Sequence, residues 1–404
     1  MPNRPKYRWG ILAVIALTFA VVISGPGASL AVLFEEIAAD LHLNLVQIGM
    51  IWGIGSLLAI FTGSLCGALI DRFGPKRVLI AGILLVGLFN SLRGLAHDFS
   101  SLMILVLLVG GVVPMVSTSG FKISGVWFHR QLGTANSVLS MGMALGLVAG
   151  SLLAATTLSP ALGGWRPTMY FFGVLDVLAA GIWLFIDPLP PKRDAPEGAG
   201  AVPMREALGH VLRLRDLWPL GLALFGIGAC QQGMAGYLAL YLRGIGWAGP
   251  TADTALSMVY AASLACILPI GFVSDRLRSR KWVLLAAIAV MAAGTGWLSA
   301  AGGTAIWAAV VLAGMMRDGS VAVVLTMAVE TENVGPRYAG TATGFIMTFF
   351  FLGGMISPPL GNKLADIAPG APFAFWAALA ASGILLLAFL RPRISSTDPQ
   401  QIHS

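Results

Sequence analysis

Charge is what this sequence has least of. Only 11% of its 404 residues are Asp, Glu, Lys or Arg, against roughly 25% in a soluble domain. A soluble chain of this length could not cover its surface with so few. Cysteine is equally sparse: Cys66, Cys230 and Cys266 form an odd set inside apolar runs, with neither a disulfide framework nor zinc-ligand spacing. His97, His129 and His210 lie in loops and need no special reading. No Walker-type phosphate loop, His-Glu-x-x-His or credible Ser/His pairing occurs, which excludes ATP-driven pumping and familiar hydrolase chemistry. The chain reads as a non-enzyme that needs no cofactor or metal.

What it has instead is apolar length. Hydrophobic residues make up 57% of the chain, with a mean hydropathy of +0.83. Runs of about 20 apolar residues, each enough to cross a hydrocarbon core of about 30 Å, recur from end to end. The first-half spans are expected at 10–34, 45–70, 77–95, 101–126, 134–157 and 167–187. The second-half spans are expected at 217–242, 252–274, 282–300, 304–329, 339–361 and 371–391. All should be helices, because a membrane span must satisfy its own backbone and the ten-residue alternation of a barrel is missing. The first run is too long for an ordinary signal sequence and is taken as an uncleaved span.

The basic residues orient the bundle. With the N-terminus in the cytoplasm, nineteen Lys and Arg fall on that side, and only Arg93, Arg166, Arg243 and Lys363 on the other. Both termini and the central loop are therefore expected inside, in an inner membrane. The net charge of +7 then belongs to topology and anionic-lipid contact, not nucleic acid. The expected domains are 1–187, a linker at 188–216 with a short surface helix at 204–214, 217–391, and a tail at 392–404.

Two short segments, 204 residues apart, are near-copies. Gly67-x-x-x-Asp71-Arg72-x-Gly74-x-Lys76-Arg77 follows span two, and Gly271-x-x-x-Asp275-Arg276-x-Arg278-x-Arg280-Lys281 follows span eight. The molecule is one unit written twice, the body plan of a secondary transporter. The first copy resembles the signature loop of the major facilitator superfamily. That resemblance implies an all-α fold of twelve transmembrane helices in two six-helix pseudo-symmetric halves, working by alternating access. It also implies that Asp71 lies against the positive end of span eleven near Tyr338–Gly340, with Arg72, Lys76 or Arg130 completing an ion network. Asp275 and Arg276 would do the same for span five. Gly67, Gly74 and Arg77 complete the expected gating set. The plainer alternative is that both loops only mark topology.

Substrate chemistry is expected at mid-membrane, between the repeats, where charge is costly and functional. Arg317 and Asp318 lie about halfway along span ten. Adjacent helical residues point about 100° apart, so one is expected to face the cavity and the other a neighbouring helix; a buried ion pair locking span ten to a partner is the competing reading. Lys122 shares a stripe with Pro114, Thr118 and Gly125 on span four and either lines the cavity or snorkels to the interface. Gln231, Gln232 and Tyr237 on span seven are further candidates, and Asp176 is an isolated acid in span six. Glu35, Glu36 and Asp40 are expected to be solvated. The stripe Gly142-x-x-x-Gly146-x-x-x-Gly150 suits close, sliding helix contacts; Leu147 stands where drug antiporters of the resembled superfamily carry proline.

These residues point to a monomeric transporter of a small, carboxylate-like organic anion, with a proton as coupling ion. A narrower likeness to bacterial monocarboxylate, oxalate or cyanate-type porters rests on no diagnostic motif. The alternative is an exporter of drugs or other hydrophobic compounds, with Met141, Met143, Phe349, Phe350 and Phe351 lining its cavity. A membrane sensor is a third reading, without an appended signalling segment in its support.

Overall fold

The computed structural model describes residues 4–128, 131–187, 204–276 and 280–388. Among them there is no strand, and contiguous helical pieces form twelve long rods and one short helix. The first six are α1 (4–41), α2 (Leu45–Phe73), α3 (Pro75–Arg93), α4 (Phe99–Trp127), α5 (Leu132–Leu162) and α6 (Trp165–Phe185). The short α7 (Met204–Arg213) follows, within the expected linker. The last six are α8 (Leu217–Gly244), α9 (Gly249–Arg276), α10 (Arg280–Trp297), α11 (Ala305–Val329), α12 (Gly335–Leu364) and α13 (Ala371–Ala388). Nine of these rods are long and apolar enough to cross a membrane.

Local chemistry sets the ends and the breaks. Capping boxes start α2 (Asn44 with Gln47) and α4 (Asp98 with Ser101), satisfying donors that a helix start leaves open. Gly74, at φ 83°, is the one residue between α2 and α3, a backbone state that glycine reaches without strain. Each of the wide π-helical stretches, Phe19–Ser24 in α1 and Ala154–Leu158 in α5, stands just ahead of a proline, Pro26 and Pro160. Proline lacks the N–H that regular helical bonding needs, so the ladder widens there. A third break, at Met316, divides α11 in the middle.

The rods run alternately between two faces, called here the Asp71 face and the Arg243 face. Two apolar cores show how the halves meet. One, including Leu12, Phe19, Ile83, Val116, Leu139 and Trp183, belongs to the first half alone and lies toward the Asp71 face. The other joins Leu33, Phe34, Ile51 and Phe172 of the first half to Leu224, Leu256 and Trp376 of the second. The halves thus share a core toward the Arg243 face.

The α2–α12 seam shows the same divergence. A Cβ at Gly53 would lie 2.5 Å from the Met355 carbonyl oxygen, and one at Gly49 would lie 2.7 Å from Pro358 and Pro359. Farther along the same two helices, Gly63, Gly67, Gly340 and Gly344 have open space beside them. The Gly142–Gly150 stripe makes the close helix contact expected of it, packing α5 against Ala16, Ala20 and Gly25 of α1 inside one half. Close contacts between the halves are at Gly49 and Gly53, and at Gly236, where a Cβ would lie 2.5 Å from the Trp52 ring.

Candidate functional site

The break at Met316 makes Arg317 and Asp318 the first two residues of a new helical piece at mid-length in α11. Here the expectation of divergent side chains is overturned. Arg317 Nη1 donates to Asp318 Oδ1 at 2.7 Å, because the interrupted helix frees the pair from regular side-chain spacing. Ser263 of α9 donates to Asp318 Oδ2 at 2.8 Å and accepts from the Asp318 backbone N–H at 3.2 Å. The Arg317 guanidinium lies 5.2 Å from the ring centre of Tyr260, and its buried Nε has no hydrogen-bond partner. Gln231 Nε2 of α8 donates to the Arg317 carbonyl at 2.7 Å. Three helices therefore hold one cation, one carboxylate and a spare N–H in a single cluster. The side chains are 12% and 33% exposed for Arg317 and Asp318, so the carboxylate is the more open of the two.

The remaining candidates separate. Gln232 stands beside this cluster in sequence but uses its carbonyl to accept from Trp52 of α2 at 2.8 Å. Tyr237 is buried among Tyr241, Phe373 and Trp376 and donates to the Pro369 carbonyl at 3.1 Å, a packing position near the Arg243 face. Lys122 ion-pairs with Asp71, so it extends toward the Asp71 face and is removed from the central cluster. Phe349 packs edge-on against Trp218 and Phe345, and Phe350 packs against Phe351.

In the gating set, Asp71 meets Lys122 of its own half, in place of the expected approach to the start of α12. Arg72 lies over Phe73 at 5.3 Å, Lys76 donates to the Leu184 carbonyl at 3.4 Å, and Arg77 is exposed. Arg130 lies outside the described residues. Gly271, Asp275 and Arg276 close α9 as backbone only; their side chains also lie outside the description. Arg280 pairs with Glu330 at 2.9 Å within the second half.

Several residues escaped the sequence reading. Tyr260 and Ser263, one turn apart on α9, were legible only as a polar spacing without charge. Arg93, counted only toward topology, is buried and donates to Asn90, which in turn donates to Asp176 at 3.0 Å. The acids expected to be solvated are engaged: Glu35 pairs with Arg243, Glu36 accepts from Ser159, and Asp40 pairs with Arg166. His210 stacks on Tyr338 at 4.2 Å and bonds the Asn333 carbonyl, docking α7 on the start of α12.

Polar contacts between the halves gather at the Arg243 face. Ser151 and Ser257 meet at 2.8 Å, Asn362 donates to the Leu45 carbonyl at 2.8 Å, and Arg243 reaches the Val32 carbonyl at 3.0 Å. The arrangement is two six-helix halves pinched together at one face, with a charged cluster at mid-height. A sequence profile of the Major Facilitator Superfamily matches residues 10–358 and again 244–403. The chain belongs to the Major Facilitator Superfamily. Its members are transporters, not enzymes.

Within that superfamily the chain is similar to a probable L-galactonate transporter of Escherichia coli (strain K12), 29% identical over 57% of this chain. It spans only 54% of that relative, about half its length. It is also similar to the 3-(3-hydroxy-phenyl)propionate transporter of the same organism, 26% identical over 83% of this chain and 81% of the relative. In fold it matches a point mutant of the nucleoside transporter NupG, with TM-score 0.77, 14% identity, and 95% and 98% of the two chains covered.

Proposed function

We propose that this superfamily member is a secondary transporter that moves a small organic monoanion, a carboxylate, by alternating access coupled to a proton. The observation that carries the reading is the Arg317 guanidinium, with its unpartnered buried Nε, beside Asp318 at a helix break. A planar guanidinium is the side chain best shaped to take a carboxylate. The probable L-galactonate transporter and the 3-(3-hydroxy-phenyl)propionate transporter among the relatives are named for substrates of this class. Because Lys122 is committed to Asp71, Arg317 is the one cation left at the centre among the described residues, which favours one negative charge on the cargo.

Asp318 supplies the coupling. Ionised, it occupies Arg317; protonated, it releases the guanidinium to the substrate carboxylate. One proton and one monoanion then travel together, and the loaded site has the same net charge as the empty one. The halves meet at the Arg243 face and diverge along α2 and α12, so the conformation is open toward the Asp71 face. The excess of basic residues puts that face, and both termini, in the cytoplasm. The protein works as a monomer within a lipid bilayer.

Reconstituted protein tests the reading with galactonate, lactate and 3-phenylpropionate under an imposed proton gradient. Arg317→Ala should abolish uptake while the purified variant stays monodisperse. Asp318→Asn should lose gradient-driven uptake but keep exchange of labelled for unlabelled acid. Wild-type uptake rates in Arg317→Ala would overturn the assignment. A deletion strain sensitive to unrelated hydrophobic toxins, yet growing on every acid, would assign drug export instead.

A further inference from the structure

Arg243 ends α8 at the face where the halves touch, and its guanidinium is nine-tenths buried with three acceptors around it. Nη2 donates to Asp253 of α9 at 2.6 Å, Nε meets Glu35 of α1 at 3.0 Å, and Nη1 donates to the Val32 carbonyl of α1 at 3.0 Å. These partners divide by half. Asp253 moves with Arg243, and its side chain is fully buried. Val32 and Glu35 belong to the opposite half, and the Glu35 side chain is 60% exposed.

A cleft of about 530 Å³ adjoins this clamp. Glu35 forms part of its wall, with Ala38 and Asn44 from the first half and Leu240 and Lys363 from the second. Leu240 lies about one turn before Arg243 on α8. The clamp thus stands beside a solvent-reachable space between the halves, and the group exposed there is the carboxylate that Arg243 holds.

We propose that Arg243 is a second anion-binding site, carried on the gate itself: it holds this face shut through Glu35 and Val32, and takes the substrate carboxylate in place of Glu35 when the face opens. The inference rests on transport of an organic anion by alternating access. When α1 withdraws, Asp253 keeps the guanidinium in place and two of its three anchored donors are released. Charge-assisted bonds to carboxylate are about twice as strong as neutral ones, so an incoming anion fills those donors better than water does. The displaced and arriving groups are the same chemical group on the same donors.

Competition between them makes the site directional. The face cannot close while substrate occupies Arg243, because Glu35 needs the same donor. Closure therefore follows transfer of the substrate inward. Gln231, which bonds the Arg317 carbonyl, lies twelve residues before Arg243 on α8. At 1.5 Å per residue that is about 18 Å along the helix axis, so one helix carries the outer cation and the glutamine that holds the backbone of the central one.

Kinetics of entry at the Arg243 face test this. Uptake of labelled galactonate, lactate and 3-phenylpropionate is measured in intact cells, where substrate enters from that face. Arg243→Gln should raise KM in cells by about tenfold, the loss expected for one charge-assisted contact, whereas loss of a latch alone would lower it by favouring the open face. Glu35→Gln should lower KM in cells, because it removes the competitor, and Arg243→Lys should recover part of the loss. A KM in cells lowered by Arg243→Gln as it is by Glu35→Gln would reduce Arg243 to a latch and overturn the site. If Arg243→Gln does not fold, Arg243→Lys decides: a raised KM in cells upholds the site, and a KM lowered as in Glu35→Gln would reduce Arg243 to a latch. Absence of wild-type uptake for all three acids would overturn the transport reading itself, a result distinct from a lowered KM in an active protein.

Discussion

Gly53→Ala should push the protein toward the conformation open at the Arg243 face. The added Cβ would sit 2.5 Å from the Met355 carbonyl oxygen, and also 3.1 Å from the Met355 Cα and carbonyl carbon. All three are backbone atoms, so no side chain can turn away. An ordinary contact begins near 3.4 Å, so α12 must retreat from α2 by about 0.9 Å. Overpacking of this kind costs about 1–3 kcal/mol. The cost applies where α2 and α12 touch and vanishes once they part at this face. The equilibrium between the two conformations should then shift by roughly 5- to 150-fold. Ser151→Cys, introduced where Ser151 meets Ser257 across the halves, reports the change in a background lacking Cys66, Cys230 and Cys266. Its labelling by a membrane-impermeant maleimide should accelerate by that factor in Gly53→Ala. Gly63→Ala is the control, since a Cβ there meets nothing within 4 Å. Equal labelling in the two variants would refute the idea that the Gly53 contact holds this face closed.

Two further outcomes follow from the charged clusters. Lys122→Ala should change the KM for the transported acid less than about twofold, because Lys122 serves Asp71 and contributes nothing to the central site; a loss comparable to that of Arg317→Ala would return it to the cavity. Asp176→Ala should destabilise the protein by about 1–3 kcal/mol, since it leaves the buried Asn90 amide, which holds Arg93, without its acceptor. Thermal unfolding of the purified protein measures this, and near-wild-type stability would show that the Asn90 amide does not need Asp176.

The architecture was legible because its signals are one-dimensional. Apolar runs, the 204-residue repeat and the basic asymmetry all lie along the chain, and α7 formed where the linker sequence suggested. Arg317 and Asp318 stood out for the same reason, as charges inside an apolar run. Their mutual pairing did not, because it depends on a break at Met316 that no proline or glycine at that position announces. Lys122 and Asp71 are 51 residues apart, and each has other plausible neighbours in sequence. Arg93 and Arg243 entered only a count of cations near span ends, which assigns a side and does not ask what they touch. Arg243 needs Glu35 and Asp253, one from each half, and only packing brings those together. The glycine stripe on α5 was recognised as a close-contact surface, but spacing alone could not say that its partner was α1.

The two apolar cores also bear on how the molecule is made. The core that includes Leu12, Phe19, Leu139 and Trp183 draws on the first half alone, so a nascent chain can complete it before any of the second half has left the ribosome. The other core places Phe34 and Ile51 in one cluster with Trp376 and Leu387, near the far end of the described chain. During synthesis, then, the first half is finished at the Asp71 end and unfinished at the Arg243 end until the final span inserts. The surface that later opens and closes is the same one the first half must hold unpartnered while it waits.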